Sequence, residues 1–203
     1  MSFEHITGNE RIKELLQKII DEKNILAAYL FIGPDGIGKS LFAKEFAGMI
    51  LCENEEKKPC GSCKSCLEIK NLNHPDFMII EPEGDSIKIE QIRRMQMQII
   101  NKPIVQMRKV ILINDSDKMT KEAQNCLLKT LEEPPSYITI ILIGQNENLF
   151  LNTIKSRCVS IVFQKIDHGD LRAYLQSQGI ENVGEESLEL FSRKYKKGAF
   201  TKG

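Results

Sequence analysis

Residues Gly33-Pro34-Asp35-Gly36-Ile37-Gly38-Lys39-Ser40 match G-x-x-x-x-G-K-[ST] in full. Glycines at these places let the backbone curl until its N–H groups and a following helix N-terminus aim at phosphate oxygens. Lys39 would neutralise β and γ phosphates, and Ser40 would ligate Mg2+. A glycine-rich turn with a solvated lysine is the plainer account. The apolar run before the motif and the helical run after it favour binding of ATP or ADP with Mg2+.

Hydrolysis demands more than a phosphate cradle. The apolar run Val110-Ile111-Leu112-Ile113 leads into Asn114-Asp115-Ser116-Asp117. A hydrolase of this kind places a metal-binding aspartate directly after such a strand, then a carboxylate that activates water. In one register Asn114 takes the metal position and Asp115 the base position, and a neutral amide is a poor partner for Mg2+. In the other, Asp115 serves the metal and Ser116 replaces the base, for which serine is too weak. Either way the acidic pair is incomplete, so binding without efficient turnover is expected. Asp117 reads equally well as a residue preceding a helix.

Cys52, Cys60, Cys63 and Cys66 form C-x7-C-x2-C-x2-C. Thiolates two residues apart in tight turns can converge on one Zn2+, and four close a tetrahedral structural site. An iron–sulfur run is the nearest competitor, but no cysteine follows Cys66 at the required place. His74 is an alternative fourth ligand to Cys52. The polar segment Glu53-Asn54-Glu55-Glu56-Lys57-Lys58 argues against four packed core thiols. Cys126 and Cys158, by contrast, lie among apolar neighbours and read as core residues.

The elements that must position these groups alternate along the chain. Ile12, Leu15, Leu16, Ile19 and Ile20 mark one face of a helix. Short apolar runs at 28–32, 77–80, 110–113, 138–143 and 159–163 read as buried strands. Helical spacing lies between them at 41–51, 89–100 and 120–133, where Thr120 is a candidate cap and Pro134-Pro135 a stop. Strands separated by helices predict a parallel sheet of βαβ units. After Lys165 only helical patterns follow, around 171–175 and 188–191, then the basic run Arg193-Lys194-Tyr195-Lys196-Lys197. The expected division is therefore a base at 1–165, with a metal module at about 52–66, and the start of a second, helical domain at 166–203.

The chain has 203 residues, 28 Lys+Arg and 28 Asp+Glu, so its formal charge is zero. That balance speaks against a protein devoted to gripping a polyphosphate backbone, though a local patch remains open. No run approaches the roughly 18 apolar residues of a membrane span, and the first residues lack signal-peptide character. A cytoplasmic location, with thiols reduced or metal-bound, is expected.

Together the phosphate loop, the four-cysteine insert, Leu127-Leu128-Lys129-Thr130-Leu131-Glu132-Glu133-Pro134-Pro135 and Ser156-Arg157-Cys158 resemble the clamp-loader subunits of bacterial DNA polymerase III. Asn73-His74-Pro75-Asp76, Ser86-Ile87-Lys88-Ile89-Glu90-Gln91-Ile92-Arg93 and Asn114-Asp115 are more similar to its delta-prime branch than to its gamma/tau motor branch, which stands as the alternative. Gly144-Gln145 stand where the motor branch carries threonines. The resemblance implies an AAA+ P-loop NTPase-type parallel sheet flanked by helices, a zinc-binding insert and a helical lid. It also implies a largely non-hydrolysing stator that helps load the sliding clamp onto primer-template DNA beside gamma/tau and delta subunits. Arg157 would then be an arginine finger acting on a neighbour's ATP, a sound role for a fixed guanidinium. Without that context Arg157 is a surface arginine paired with a carboxylate. An independent nucleotide kinase would need an arginine-rich lid, and none precedes residue 157.

Overall fold

The computed structural model describes residues 3, 6 and 8–165. The apolar runs form one five-stranded sheet: β1 (Ala28–Ile32), β2 (Phe77–Ile80), β3 (Lys109–Ile113), β4 (Ile138–Gly144) and β5 (Val159–Val162). All neighbours are parallel, in the order β2-β3-β4-β1-β5. The helices are α1 (Glu10–Asp21), α2 (Lys39–Leu51), α3 (Lys64–Lys70), α4 (Ile89–Ile99), α5 (Lys121–Glu132) and α6 (Asn152–Lys155).

Strand side chains alternate between faces, and here both faces are apolar. Tyr29, Phe31, Val110, Leu112, Ile141 and Ile143 join Ile12, Leu16 and Ile20 of α1 and Phe42 and Phe46 of α2 in one cluster. Their neighbours Leu30, Ile32, Ile111, Ile113, Ile140 and Leu142 pack on the other face with Ile92 and Met95 of α4 and Leu127 and Leu131 of α5. Each fully buried aliphatic or aromatic side chain contributes about 1.5–3 kcal/mol. These two layers of burial hold the sheet between its helices. Edge strand β5 buries Ile161 but exposes Val162.

Several boundaries follow local chemistry. The Thr120 hydroxyl accepts a hydrogen bond from Ala123 N at 3.2 Å, capping α5 as its spacing predicts. Gln91 Oε1 accepts from Lys88 N at 3.0 Å and starts α4. Helices α3 and α6 were not anticipated: seven and four residues are too short for a periodic apolar face to show. The expected helices beyond Lys165, the boundary at 165/166 and the basic run at 193–197 lie outside the described residues.

Candidate functional site

The loop between β1 and α2 has the shape its glycines predict. Gly36 and Gly38 take left-handed φ values of 76° and 89°, which β-carbons disfavour. At Gly33 a β-carbon would lie 2.6 Å from Phe163 O and 2.8 Å from Ile37 Cδ1, so only glycine fits under β5. Asp35 Oδ1 accepts from Gly36 N at 3.0 Å and tightens the turn. Gly38 sits at the N-cap of α2 with no side chain on the first amides, leaving a helix N-terminus directed into the cleft. Pro34, Asp35, Ile37 and Ser40 complete the loop.

Lys39 is only 6% exposed. Its ammonium donates to Gly33 O at 2.8 Å and Pro34 O at 2.6 Å. An ammonium has three N–H donors, so one remains for an anion while two hold the loop. Burial pushes the Lys39 pKa down, and Asp35, Asp117 and Asp115 partly restore it. The cleft in front has a volume of about 510 Å³, and its walls include Lys39, Ser40, Glu81, Asn114, Asp115 and Lys118.

Strand β3 ends at Ile113, so Asn114 directly follows it. This selects the first of the two registers. Asn114 Nδ2 donates to Glu81 Oε1 at 3.0 Å, and its Oδ1 is buried with no partner. Asp115, in the left-handed region at φ 46°, holds Lys118 Nζ at 2.8 Å. Ser116 donates its hydroxyl to Ile143 O at 2.8 Å and is fully buried, which removes it as a base. Asp117 Oδ2 accepts from Gln145 N at 2.9 Å, binding the end of β4 to this corner. At Gly144 a β-carbon would lie 2.8 Å from two ring carbons of Phe150, so a threonine there would have to push that ring aside.

The four cysteine sulfurs converge. All lie within 4.8 Å of one another, with Cys52–Cys63 and Cys60–Cys66 each 4.0 Å apart. A tetrahedral site with metal–sulfur bonds of about 2.3 Å needs sulfurs roughly 3.8 Å apart. The cage therefore fits a metal ion after a slight contraction. Backbone amides of Cys60, Cys63 and Cys66 point at the sulfurs of Cys52, Cys60 and Cys63 at 3.3–3.4 Å. Donors from Ser62 and Cys63 pull the Cys60 thiol down to about 6, while burial pushes those of Cys52 and Cys66 up.

His74 is not part of this cage. Its Nδ1 accepts from Asp76 N at 3.0 Å, which puts the proton of the neutral ring on Nε2, 3.1 Å from Ser65 Oγ. Ser65 Oγ in turn donates to Glu53 Oε1 at 2.8 Å. With both nitrogens committed, the alternative of His74 as fourth ligand falls away. Asp76 is itself an anchor: Oδ1 accepts from Ile104 N at 2.8 Å, and Oδ2 from Val105 N at 2.8 Å and Gln106 N at 3.1 Å. Burial opposes its charge, yet these three donors hold the carboxyl below its ordinary pKa.

Arg157 lies between α6 and β5, its side chain 32% exposed. Nη2 meets Glu132 Oε1 at 2.9 Å, and Nη1 donates to Thr153 O at 2.8 Å and Ser156 Oγ at 3.4 Å. Cys158 is packed, its thiol pushed up to about 12 by burial. Cys126, like Cys158, is half-buried and packs against the same apolar cluster, and its Sγ donates to Gln96 Oε1 at 3.3 Å.

The family model for the DNA polymerase III delta subunit matches residues 8–167. The chain belongs to this family. Among curated members of the same machinery, DNA polymerase III subunit delta' of Bacillus subtilis (strain 168) is 36% identical over 156 residues, covering 77% of this chain and 47% of its own length. DNA polymerase III subunit tau of the same organism is 32% identical over 195 residues, covering 94% of this chain and 34% of its own. The chain thus spans less than half of these relatives. A DNA polymerase III gamma subunit-related protein from Thermotoga maritima shares the fold with a TM-score of 0.53 and 23% identity, over 90% of this chain and 56% of that one. The fold is of the AAA+ type, as the strand order and phosphate loop require.

In this member of the DNA polymerase III delta-subunit family, sequence reasoning overlooked Lys118, Glu132 and Asp76. Lys118 had no motif to mark it; only the left-handed turn at Asp115 brings it to the cleft. Glu132 stood in the Glu-Glu-Pro-Pro helix stop, where its pairing with Arg157 had no local signal. Asp76 was visible as part of Asn73-His74-Pro75-Asp76, but its partners lie about 30 residues onward. Among the described residues no helix is long and apolar enough to cross a membrane.

Proposed function

We propose that this chain is the AAA+ part of a clamp-loader subunit of the delta-prime type, a largely non-hydrolysing stator that helps load the sliding clamp onto DNA and assists a neighbour's ATPase. Asn114 carries this reading: it stands where Mg2+ would need a carboxylate, and it is already tied to Glu81. Ser116, sealed against Ile143 O, offers no base, and the packed Gly144–Phe150 contact leaves no side chain to sense a γ phosphate. Gly33 to Ser40 would hold ATP or ADP through backbone amides and Lys39, with Asp115 as the remaining carboxylate in the cleft. The four cysteines would hold one structural Zn2+, which supplies folding free energy to the insert and no chemistry. Arg157 would reach a neighbour's ATP as an arginine finger. Partners on this reading are gamma/tau and delta subunits, then the sliding clamp and primer-template DNA within the assembly, with residues 166–203 beginning the lid.

The alternative is the gamma/tau motor subunit, favoured by a tau relative that aligns over 94% of the chain. Nucleotide affinity and turnover of the purified protein alone separate the two. We expect saturable nucleotide binding with turnover far below about 1 s⁻¹; turnover above that, typical of enzymes, refutes the stator. For the finger, Arg157→Ala in a reconstituted assembly should depress DNA-stimulated ATPase of the motor subunits, and unchanged turnover removes the assignment.

A further inference from the structure

We propose that Glu132 is the positioning residue for Arg157, fixing the guanidinium before a neighbouring subunit's phosphates arrive. The inference rests on the arginine-finger reading above and adds to it the group that makes the finger rigid.

A long, exposed arginine is a poor electrostatic catalyst unless its rotamers are already restricted. Among the described residues three contacts restrict it: Glu132 Oε1 beside Nη2, and Thr153 O and Ser156 Oγ on Nη1. Two of them come from Arg157's own turn. Among the described residues, the contact from another element is Glu132 at the C-terminal end of α5, which therefore sets the direction of the guanidinium relative to the body of the domain. That end is tied down by packing and hydrogen bonds. Leu127 and Leu131 of α5 share one apolar cluster with Ile154 of α6. Gln124 of α5 clasps the intervening chain by accepting from Leu151 N and donating to Leu149 O, both at 2.9 Å. Pro134 follows immediately and stops the helix.

The contacts also leave the finger able to act. A guanidinium carries five N–H donors. Among the described residues, hydrogen bonds from Nη1 to Thr153 O and Ser156 Oγ use two of them, and the Nε and Nη2 donors are left to meet Glu132 and phosphate oxygens. Glu132 is itself 49% exposed, so its charge is screened by solvent and does not cancel the arginine's. A carboxylate in this place orients more than it neutralises.

The test uses the full chain assembled with its tau/gamma-type partner, reading steady-state ATPase with primer-template DNA for the parent, Glu132→Ala, Glu132→Gln, Arg157→Ala and the double variant Glu132→Ala/Arg157→Ala. Glu132→Ala should lower kcat roughly 3–10-fold with KM for ATP unchanged, because the loss falls on the transition state. Glu132→Gln retains one acceptor oxygen for Nη2 and should recover most of that loss. The double variant should be no worse than Arg157→Ala, since the two act as a unit. If Arg157→Ala cripples turnover while both Glu132 variants match the parent, the positioning role is wrong and the finger stands. A rise in kcat for Glu132→Ala would make the carboxylate a brake and likewise overturn the proposal. Arg157→Ala without effect would remove the finger and this inference together. Gel filtration of each assembly separates a folding or assembly defect from a kinetic one, and Glu132→Gln, which conserves shape, decides the matter if Glu132→Ala does not assemble.

Discussion

Replacing Asp76 by asparagine should destabilise the fold by about 2–4 kcal/mol, and the loss should shrink in acid. The carboxylate accepts three backbone N–H groups from residues 104–106 while almost fully buried. An amide has one acceptor oxygen. Its best placement keeps Val105 and Gln106 and turns NH2 against Ile104 N–H. The two surviving bonds lose their charge assistance, worth about 0.5–1.5 kcal/mol each, and the orphaned donor adds about 1 kcal/mol. That last cost stays at the low end because Ile104 is 75% exposed and water can reach the loop. For a domain of this size the change amounts to a fall in Tm of roughly 5–15 °C. The folded carboxyl sits below its ordinary value of 3.8, so its contribution is complete above about pH 4 and is lost as pH falls through the folded pKa. Thermal melts by circular dichroism from pH 7 to pH 3 should therefore show the gap between parent and Asp76→Asn narrowing below pH 4. A Tm within 1 °C of the parent at pH 7, or a gap that does not narrow in acid, would refute the reasoning.

Three further outcomes are expected. Cys60→Ser should reduce bound zinc well below one per chain in elemental analysis, whereas His74→Ala should leave it at one, because His74 is spent on Ser65 and Asp76. Asn114→Asp should raise Mg2+-dependent nucleotide affinity about tenfold by calorimetry while costing stability without metal, since the new carboxylate faces Glu81. Thr120→Ala removes the cap of α5 and should cost about 1 kcal/mol in urea unfolding, with nucleotide affinity unchanged.

Much of the sheet was legible because parallel strands covered on both faces are written as uninterrupted apolar runs, such as 110–113 and 138–143. The phosphate loop and the cysteine cage were legible for a different reason: each is built from residues close in sequence, so spacing alone carries the geometry. What escaped was every contact made across the fold. Which register holds at Asn114 depended on where β3 ends, a matter of one residue. The fate of His74 depended on Ser65 and Asp76, and Arg157's on Glu132, pairs that only tertiary packing brings together.

The order of the strands has a consequence for how the chain comes into being. Interior strand β1 precedes both of its partners, β4 and β5, by more than a hundred residues. On a ribosome adding about 5–20 residues per second, residues 28–32 wait several seconds with both edges unpaired. The phosphate loop waits with them, because Gly33 takes its place only when Phe163 closes over it. Such long-range pairing makes for slow folding and prolonged exposure of Tyr29-Leu30-Phe31. A chain released before β5 would thus carry the complete nucleotide motif without the surface that shapes it.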